Sequence, residues 1–222
     1  MANTSQRDTF IAEEGDKFFV RNKLGLAQPS TVKELVVGRV AHHLLWNESS
    51  CVLEIGCSSG GNLAALGDIA SVDCFGVDPS DDAVRAGNEL YPNLDLRVGS
   101  ADRLPFDDAS MDVVWFGFCL YLVDRSLLHR AVAEADRVLK DGGMIVIHDF
   151  DPDLPCMSPY RHVPGLNSYK MNYSAFFLCD PAYTLVEKTT FNHNNNNWIS
   201  DARERLALWI CRRDLQHAYR KD

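Results

Sequence analysis

The run Val52-Leu53-Glu54-Ile55, followed at once by Gly56-Cys57-Ser58-Ser59-Gly60-Gly61, constrains this chain more than any other segment. An apolar strand passes straight into a glycine-rich turn, and a short helix follows. A second apolar run, Cys74-Phe75-Gly76-Val77, then ends at Asp78. Strand, turn, helix, strand and carboxylate make the first half of a nucleoside-binding βαβ unit. Glycine lets the backbone approach a ligand, and a carboxylate at the second strand's tip can accept both ribose hydroxyl protons. The pattern points to an adenosine-containing ligand.

The rest of the first 150 residues continues the theme. Thr31 and Glu34 form a capping box that opens a helix reaching about Trp46, and Asn47–Ser50 turns the chain into strand one. Ser80 caps the next helix, with Asp81 and Asp82 in its first turn. Leu94–Val98 alternates as strand three, and Met111–Phe118 is a buried fourth strand. Leu127, Leu128, Ala131, Val132, Ala135, Val138 and Leu139 recur at helical spacing, Gly142-Gly143 stops that helix, and Met144–Ile147 is strand five. The order predicts a doubly wound parallel α/β sheet. Residues 150–172 are rich in Pro, Tyr, Ser and Asn and read as a polar binding loop. Tyr183–Phe191 and Arg205–Arg212 read as an antiparallel hairpin around the Asn192–Asn197 loop, and Asp214–Asp222 as a frayed tail.

A chain of 222 residues holds one such core, or a core with a small cap. Lys and Arg number 22 against 31 acidic residues, and the net charge of −9 argues against a nucleic-acid or anionic membrane partner. The seven cysteines show no C-x-x-C pair and read as small buried hydrophobes in a reducing compartment. The N-terminus has no apolar signal core, and no run has the length of a bilayer span. A cytoplasmic location is expected. No H-E-x-x-H or His-Cys cluster occurs, so no metal is predicted.

Ser58 stands where a dinucleotide fold needs its middle glycine to seat a pyrophosphate. S-adenosylmethionine carries no phosphate and tolerates the change, which favours the methyl donor. The wider pattern is more specific. Glu54-x-Gly56-Cys57-Ser58-x-Gly60, Gly76-Val77-Asp78-Pro79-Ser80, Ala101-Asp102-Arg103-Leu104-Pro105-Phe106, Asp112-Val113-Val114 and Leu139-Lys140-x-Gly142-Gly143 follow in order. Together they resemble the class I S-adenosylmethionine-dependent methyltransferases of the small type 11 kind, over roughly residues 50–150. The resemblance implies a Rossmann-like seven-stranded sheet with an antiparallel last strand, S-adenosyl-L-methionine as cofactor and S-adenosyl-L-homocysteine as product. On that basis residues 1–49 form an N-terminal helical cap contributing to the cofactor pocket. Residues 50–222 form the catalytic domain, with a substrate-loop insertion at 150–172.

The resemblance also implies roles. Glu54, Gly56, Cys57, Ser58 and Gly60 shape the loop beneath the methionine part. Asp78, followed by Pro79, binds the ribose, Ala101 and Asp102 meet the adenine, and Phe116-Gly117-Phe118 faces the sulfonium end. Each has a plainer reading: the glycines serve any tight turn, Asp78 caps a helix, Asp102 is a turn residue, and Phe116 packs in the core. A shorter resemblance lies in Glu14-Gly15-Asp16-Lys17-Phe18-Phe19-x-Arg21-Asn22, with Ser168-Tyr169-Lys170 and Pro181-Ala182-Tyr183. It is similar to methyltransferases of bacterial surface-sugar clusters, including those associated with pseudaminic acid biosynthesis. It implies a sugar or nucleotide-linked sugar as acceptor and Arg21 as a fork on the methionine carboxylate. The plainer reading of Arg21 is an exposed arginine beside a packed pair of phenylalanines.

Methyl transfer from a sulfonium is an in-line displacement, in which holding three atoms collinear contributes about 7–11 kcal/mol. A hydroxyl acceptor gains a further ~10²–10⁴-fold from a general base. Position favours His148, with Asp149, at the tip of strand five, and titration near neutrality favours His162 in the polar insertion. Tyr121, Phe116 and Phe118 are candidates to face the cation. The expected partner is a small-molecule acceptor, and the chain is expected to be a monomer or homodimer. Two alternatives stand beside this reading: an NAD-dependent oxidoreductase or epimerase, and a methyltransferase-fold protein that binds the cofactor without turnover.

Overall fold

The computed structural model describes residues 5–26, 30–44, 50–193 and 201–219. It begins with α1 (Gln6–Thr9), a π-helical turn (Phe10–Glu14), α2 (Gly15–Leu26) and α3 (Thr31–Leu44). There follow β1 (Ser50–Ile55), α4 (Gly61–Gly67), β2 (Val72–Asp78), α5 (Asp81–Leu90), β3 (Asp95–Val98) and β4 (Met111–Gly117). Next come α6 (Leu128–Val138), β5 (Leu139–Phe150), β6 (Cys156–Pro159), β7 (Asn167–Lys170) and α7 (Ala175–Leu178). The long strands β8 (Tyr183–Phe191) and β9 (Leu206–Arg213) complete the described fold.

Seven strands form one sheet in the order β3-β2-β1-β4-β5-β9-β8. Neighbours from β3 to β5 pair in parallel, and β9 runs antiparallel to both β5 and β8. This is the doubly wound sheet with an antiparallel last strand that the sequence predicts. Side chains alternate faces along each strand. Val52, Val113, Trp115, Val146, Leu208 and Ile210 pack towards α3, α4 and α5, whereas Leu53, Val114, Phe116, Ile145, Ile147 and Trp209 pack towards α6 and α7. Cover on both faces explains why the central strands read as unbroken apolar runs.

Two details differ from the sequence reading. The helix that Gly142-Gly143 was expected to stop already ends at Val138, because Leu139 is extended and pairs with Met111. The glycines lie inside β5 instead, where a Cβ on Gly143 would meet the carbonyl oxygen of Asp112 at 2.8 Å. The 150–172 insertion is a β6–β7 ribbon rather than a wholly polar loop, and it buries Tyr160, Leu166 and Ser168. Its docking is polar: the Gln6 amide donates to the carbonyls of Leu122 (2.6 Å) and Asn167 (3.0 Å), and Gln6 Oε1 accepts from Asn167 N. The end of the first predicted helix, the Asn47–Ser49 turn, most of the Asn192–Asn197 loop and the last three tail residues lie outside the described residues.

Two helix glycines sit in opposite surroundings. Gly38 of α3 is exposed with nothing within 4 Å of a built Cβ, while one on Gly87 of α5 would stand 2.7 Å from the Ser59 carbonyl oxygen. Gly38→Ala should therefore stabilise by about 0.5–1 kcal/mol through helix propensity. Gly87→Ala gains the same propensity but overpacks against the glycine loop at a cost of about 1–3 kcal/mol, so it should destabilise. Urea unfolding of both variants checks the opposite signs.

Candidate functional site

The strand β1 delivers the chain into a turn that only special backbone geometry allows. Gly56 (φ +78°), Ser58 (φ +49°) and Gly60 (φ +74°) all adopt left-handed conformations. A Cβ on Gly56 would stand 2.5 Å from Cys119 Cβ, so the β1 and β4 tips touch backbone to side chain. The loop is held from below by Asp78. Its Oδ2 accepts from Ser58 N at 2.7 Å, and its Oδ1 accepts from Ser80 N at 2.9 Å. Burial pushes the Asp78 carboxyl up to about 6, against the two amides, which hold it down. Ser80 in turn caps α5, its hydroxyl accepting from Ala83 N. Asp78 thus takes part in the helix-capping turn and still keeps lone pairs for a ligand.

Glu54 is 1 % exposed and lies beneath Gly117, where any side chain would strike its carboxylate. Oε1 accepts from Asn62 Nδ2 at 2.7 Å, and Oε2 has no partner among the described residues. Burial, reinforced by the charge of Asp78, raises this carboxyl to about 8, with the Asn62 hydrogen bond and Lys33 opposing. Burial also raises the Cys57 and Cys119 thiols well above the usual range, so neither is a ready nucleophile.

Asp102, 2 % exposed, accepts from Ser100 Oγ at 2.7 Å and from Arg7 Nη1 at 3.0 Å. The second bond comes from the N-terminal segment, which is fastened across the strand tips at three further points. Asp16 Oδ1 accepts from Ser80 Oγ (2.7 Å) and Asp82 N (3.0 Å), and Gln6 N donates to Asp124 Oδ2. Buried Glu14 accepts from Arg21 and, at 2.8 Å, from the Tyr160 hydroxyl. Arg21 also donates to that hydroxyl, and it does not line the cavity described below. The expected carboxylate fork is thus spent on an internal ion pair, because Glu14 lies one to two turns away on the same helical stretch.

Between this segment and the strand tips lies a cavity of about 400 Å³. Gly56, Cys57, Ser58, Asp78, Pro79, Ala101, Asp102, Gly117, Phe118 and His148 line it, so most of the expected set comes together. Glu54 and Gly60 support it from behind. Phe116 is fully buried on the opposite face of the sheet against Phe177, as the alternation of β4 requires, and does not reach the cavity. Tyr121 packs on Phe118 and Phe150 outside the lining, with its hydroxyl pushed up by burial. His162 is exposed on the β6–β7 turn with its ring against Tyr160, away from the cavity. His148 does line it, but burial lowers its ring to about 3, which removes it as an effective base at neutral pH.

Sequence reasoning missed Arg7, Lys33, Asn62 and His193, all lining residues. Asn62 had a signal: it sits eight residues after Glu54, in the first turn of the helix behind the glycine loop. The other three reach the site from distant elements, with no local pattern to mark them. Among the described residues no group of three His, Cys, Asp or Glu side chains is placed to hold a metal ion, and no helix is long and apolar enough to cross a membrane.

The Glu54 carboxyl sets a pH dependence. Between the ordinary glutamate value and about 8 the folded state keeps a proton that the unfolded chain has lost. Stability therefore falls as pH rises through that window and levels off above it. Glu54→Gln keeps the Asn62 acceptor and removes a penalty on the order of 3 kcal/mol at pH 7. Urea midpoints from pH 5 to 8.5 should fall less steeply for the variant, and parallel curves would refute the assignment.

A family model for a methyltransferase domain matches residues 53–147. The demethylmenaquinone methyltransferase of Staphylococcus aureus is 36% identical over 130 residues, which span 56% of this chain and 48% of that protein. The chain spans about half the length of the curated relatives it matches. Among solved structures, the [4+2]-cyclase SpnF superposes with a TM-score of 0.71 at 15% identity, covering 95% of this chain and 97% of that one. The 1,6-didemethyltoxoflavin-N1-methyltransferase of Burkholderia thailandensis, solved with its namesake compound and S-adenosylhomocysteine, gives 0.69 at 13%, covering 94% and 87%. Such distant neighbours speak for the fold alone. The chain therefore has the fold of the class I S-adenosylmethionine-dependent methyltransferases, and its residues 53–147 match the methyltransferase-domain model.

Proposed function

We propose that the protein is an S-adenosyl-L-methionine-dependent methyltransferase acting on a small molecule, with residues 1–49 as a cap over a catalytic domain of residues 50–222. The observation that carries this reading is the single cavity joining the Gly56–Ser58 loop, Asp78, Asp102 and the Gly117–Phe118 lip. The residues present fit the cofactor. The glycine loop lines the cavity, and Asp78 beside it retains acceptor capacity. The methyltransferase-domain match supports the same reading, as does the Staphylococcus aureus relative named for a small acceptor.

When bound, S-adenosylmethionine supplies a methyl group activated by its sulfonium. Asp78 takes the ribose hydroxyls, Ala101 and Asp102 take the adenine edge, and the Gly117–Phe118 lip borders the methyl. Lys33 replaces Arg21 as the cation for the methionine carboxylate. It lines the cavity beside the glycine loop, with Nζ 3.3 Å from where a Cβ on Gly61 would sit, and its charge acts on Glu54. The N-terminal segment closes over the ligand and excludes water through the Arg7, Glu14 and Asp16 contacts, with the 150–172 insertion as its docking partner.

The narrower reading, a surface sugar as acceptor, rests on residues 14–22 together with Ser168-Tyr169-Lys170 and Pro181-Ala182-Tyr183. Glu14, Asp16 and Arg21 are engaged in fastening the cap, so that segment no longer speaks for a sugar. The dinucleotide alternative gains nothing from a loop whose central serine stands at positive φ with its amide given to Asp78.

Calorimetric titration with S-adenosylhomocysteine and NAD tests the proposal, and selective binding of NAD would overturn it. Transfer of labelled methyl to a small metabolite separates an enzyme from a silent binder. Lys33→Met should weaken S-adenosylhomocysteine by about tenfold, the value of one charge-assisted hydrogen bond. The same change should leave 5′-methylthioadenosine, which lacks the carboxylate, within about twofold. Asp78→Asn should weaken both nucleosides.

A further inference from the structure

The cavity extends well beyond the nucleoside end. In the sheet order, β2 and β5 are three strand spacings apart, so the tip of β5 stands about 14 Å from Asp78. There the lining residues are Phe118, His148, His193 and Leu206. Phe118 is the centre of this end. Its ring lies 4.9–5.4 Å from those of Tyr121, Phe150, His148 and His193, and its backbone is held at φ +60° by a bond from its N–H to His148 O. A bulky aromatic residue in the left-handed region is costly, and such positions cluster at functional sites.

No carboxylate among the described residues lines this end. The three that line the cavity are Asp78, Asp102, which is held by Arg7, and Asp124, which is held by the adjoining Gln6. Asp149 is turned away, accepting from Tyr121 N and Phe150 N. Among the described residues the polar side chains lining this end are two imidazoles, both lowered by burial. A sugar would leave many hydroxyl groups unpaired here. Among the described residues its alcohol would also find no carboxylate to take its proton.

We infer that the acceptor is a flat conjugated molecule whose ring lies on Phe118 and whose nucleophile is an acidic phenolic or enolic hydroxyl or a ring nitrogen. The inference rests on the methyltransferase reading above. A phenol or enol loses its proton to water before transfer, and a ring nitrogen attacks in its neutral form. A lone pair on that oxygen or nitrogen forms the bond to the methyl carbon as the carbon–sulfur bond breaks, and the released pair stays on sulfur as a neutral thioether. His148 and His193 serve as neutral partners that orient the ring.

The test uses the full chain saturated with S-adenosylhomocysteine. It is titrated calorimetrically with 2-naphthol and, separately, with UDP-glucose. Labelled transfer is then measured to phenols of graded acidity, to naphthol and to methyl glucoside. Naphthol should bind and UDP-glucose should not, and label should enter the aromatic acceptors. Phe118→Leu should weaken naphthol by about three- to tenfold and the cofactor product by less. Methylation of the sugar, or failure of flat rings to bind a chain that binds S-adenosylhomocysteine, overturns the inference. A chain that binds no S-adenosylhomocysteine overturns the methyltransferase reading itself.

Discussion

One carboxylate organises the ligand end of this fold. Asp78 accepts from an amide on each side, tying the glycine loop after β1 to the turn that begins α5. Ser80, in that turn, donates to Asp16 and so carries the connection into the N-terminal segment. Three separate stretches of chain thus meet through bonds that radiate from a single strand tip. Desolvation opposes this arrangement, and the amide bonds offset it.

The core of the fold was legible in the sequence because each element carried a local signature. Strand-length apolar runs, helical spacing in 127–139 and the Ser80 cap all depend on neighbours within a few residues. The glycine loop and Asp78 were legible for the same reason, since positive φ and a strand-tip acid are local demands. What failed to show was tertiary. Arg21 looked free because its partners, Glu14 and above all Tyr160, give no local sign of a pair. Phe116 and Phe118 looked equivalent, yet the strand's alternation sends one into the core and the end of the strand frees the other. His162 looked well placed only because its loop was unplaced. Lys33 and Arg7 entered the site from helices whose docking no periodicity reveals.

The chemistry of the site follows from where charge is absent as much as from where it is present. The lining carboxylates stand away from the β5 tip, where the cavity is aromatic with two imidazoles lowered by burial. A cavity divided in this way orients its occupants before any specific contact is made. The fold itself is permissive, since a cyclase shares it with methyltransferases. Discrimination therefore falls to the few side chains at the β4 and β5 tips.

The fastening of the N-terminal segment has a consequence for how the chain is built. Gln6 meets residues 116 and 161 positions away, and Glu14 meets Tyr160 across 146 positions. These helices are thus synthesised well over a hundred residues before their partners. Contacts of such separation close slowly, because a long loop must be ordered before they yield anything. The sheet can form first, from β1 through β5, and the leading helices dock only after the β6–β7 ribbon exists. Until then the future ligand cleft stays uncovered, with its apolar lining open to solvent and to chaperones.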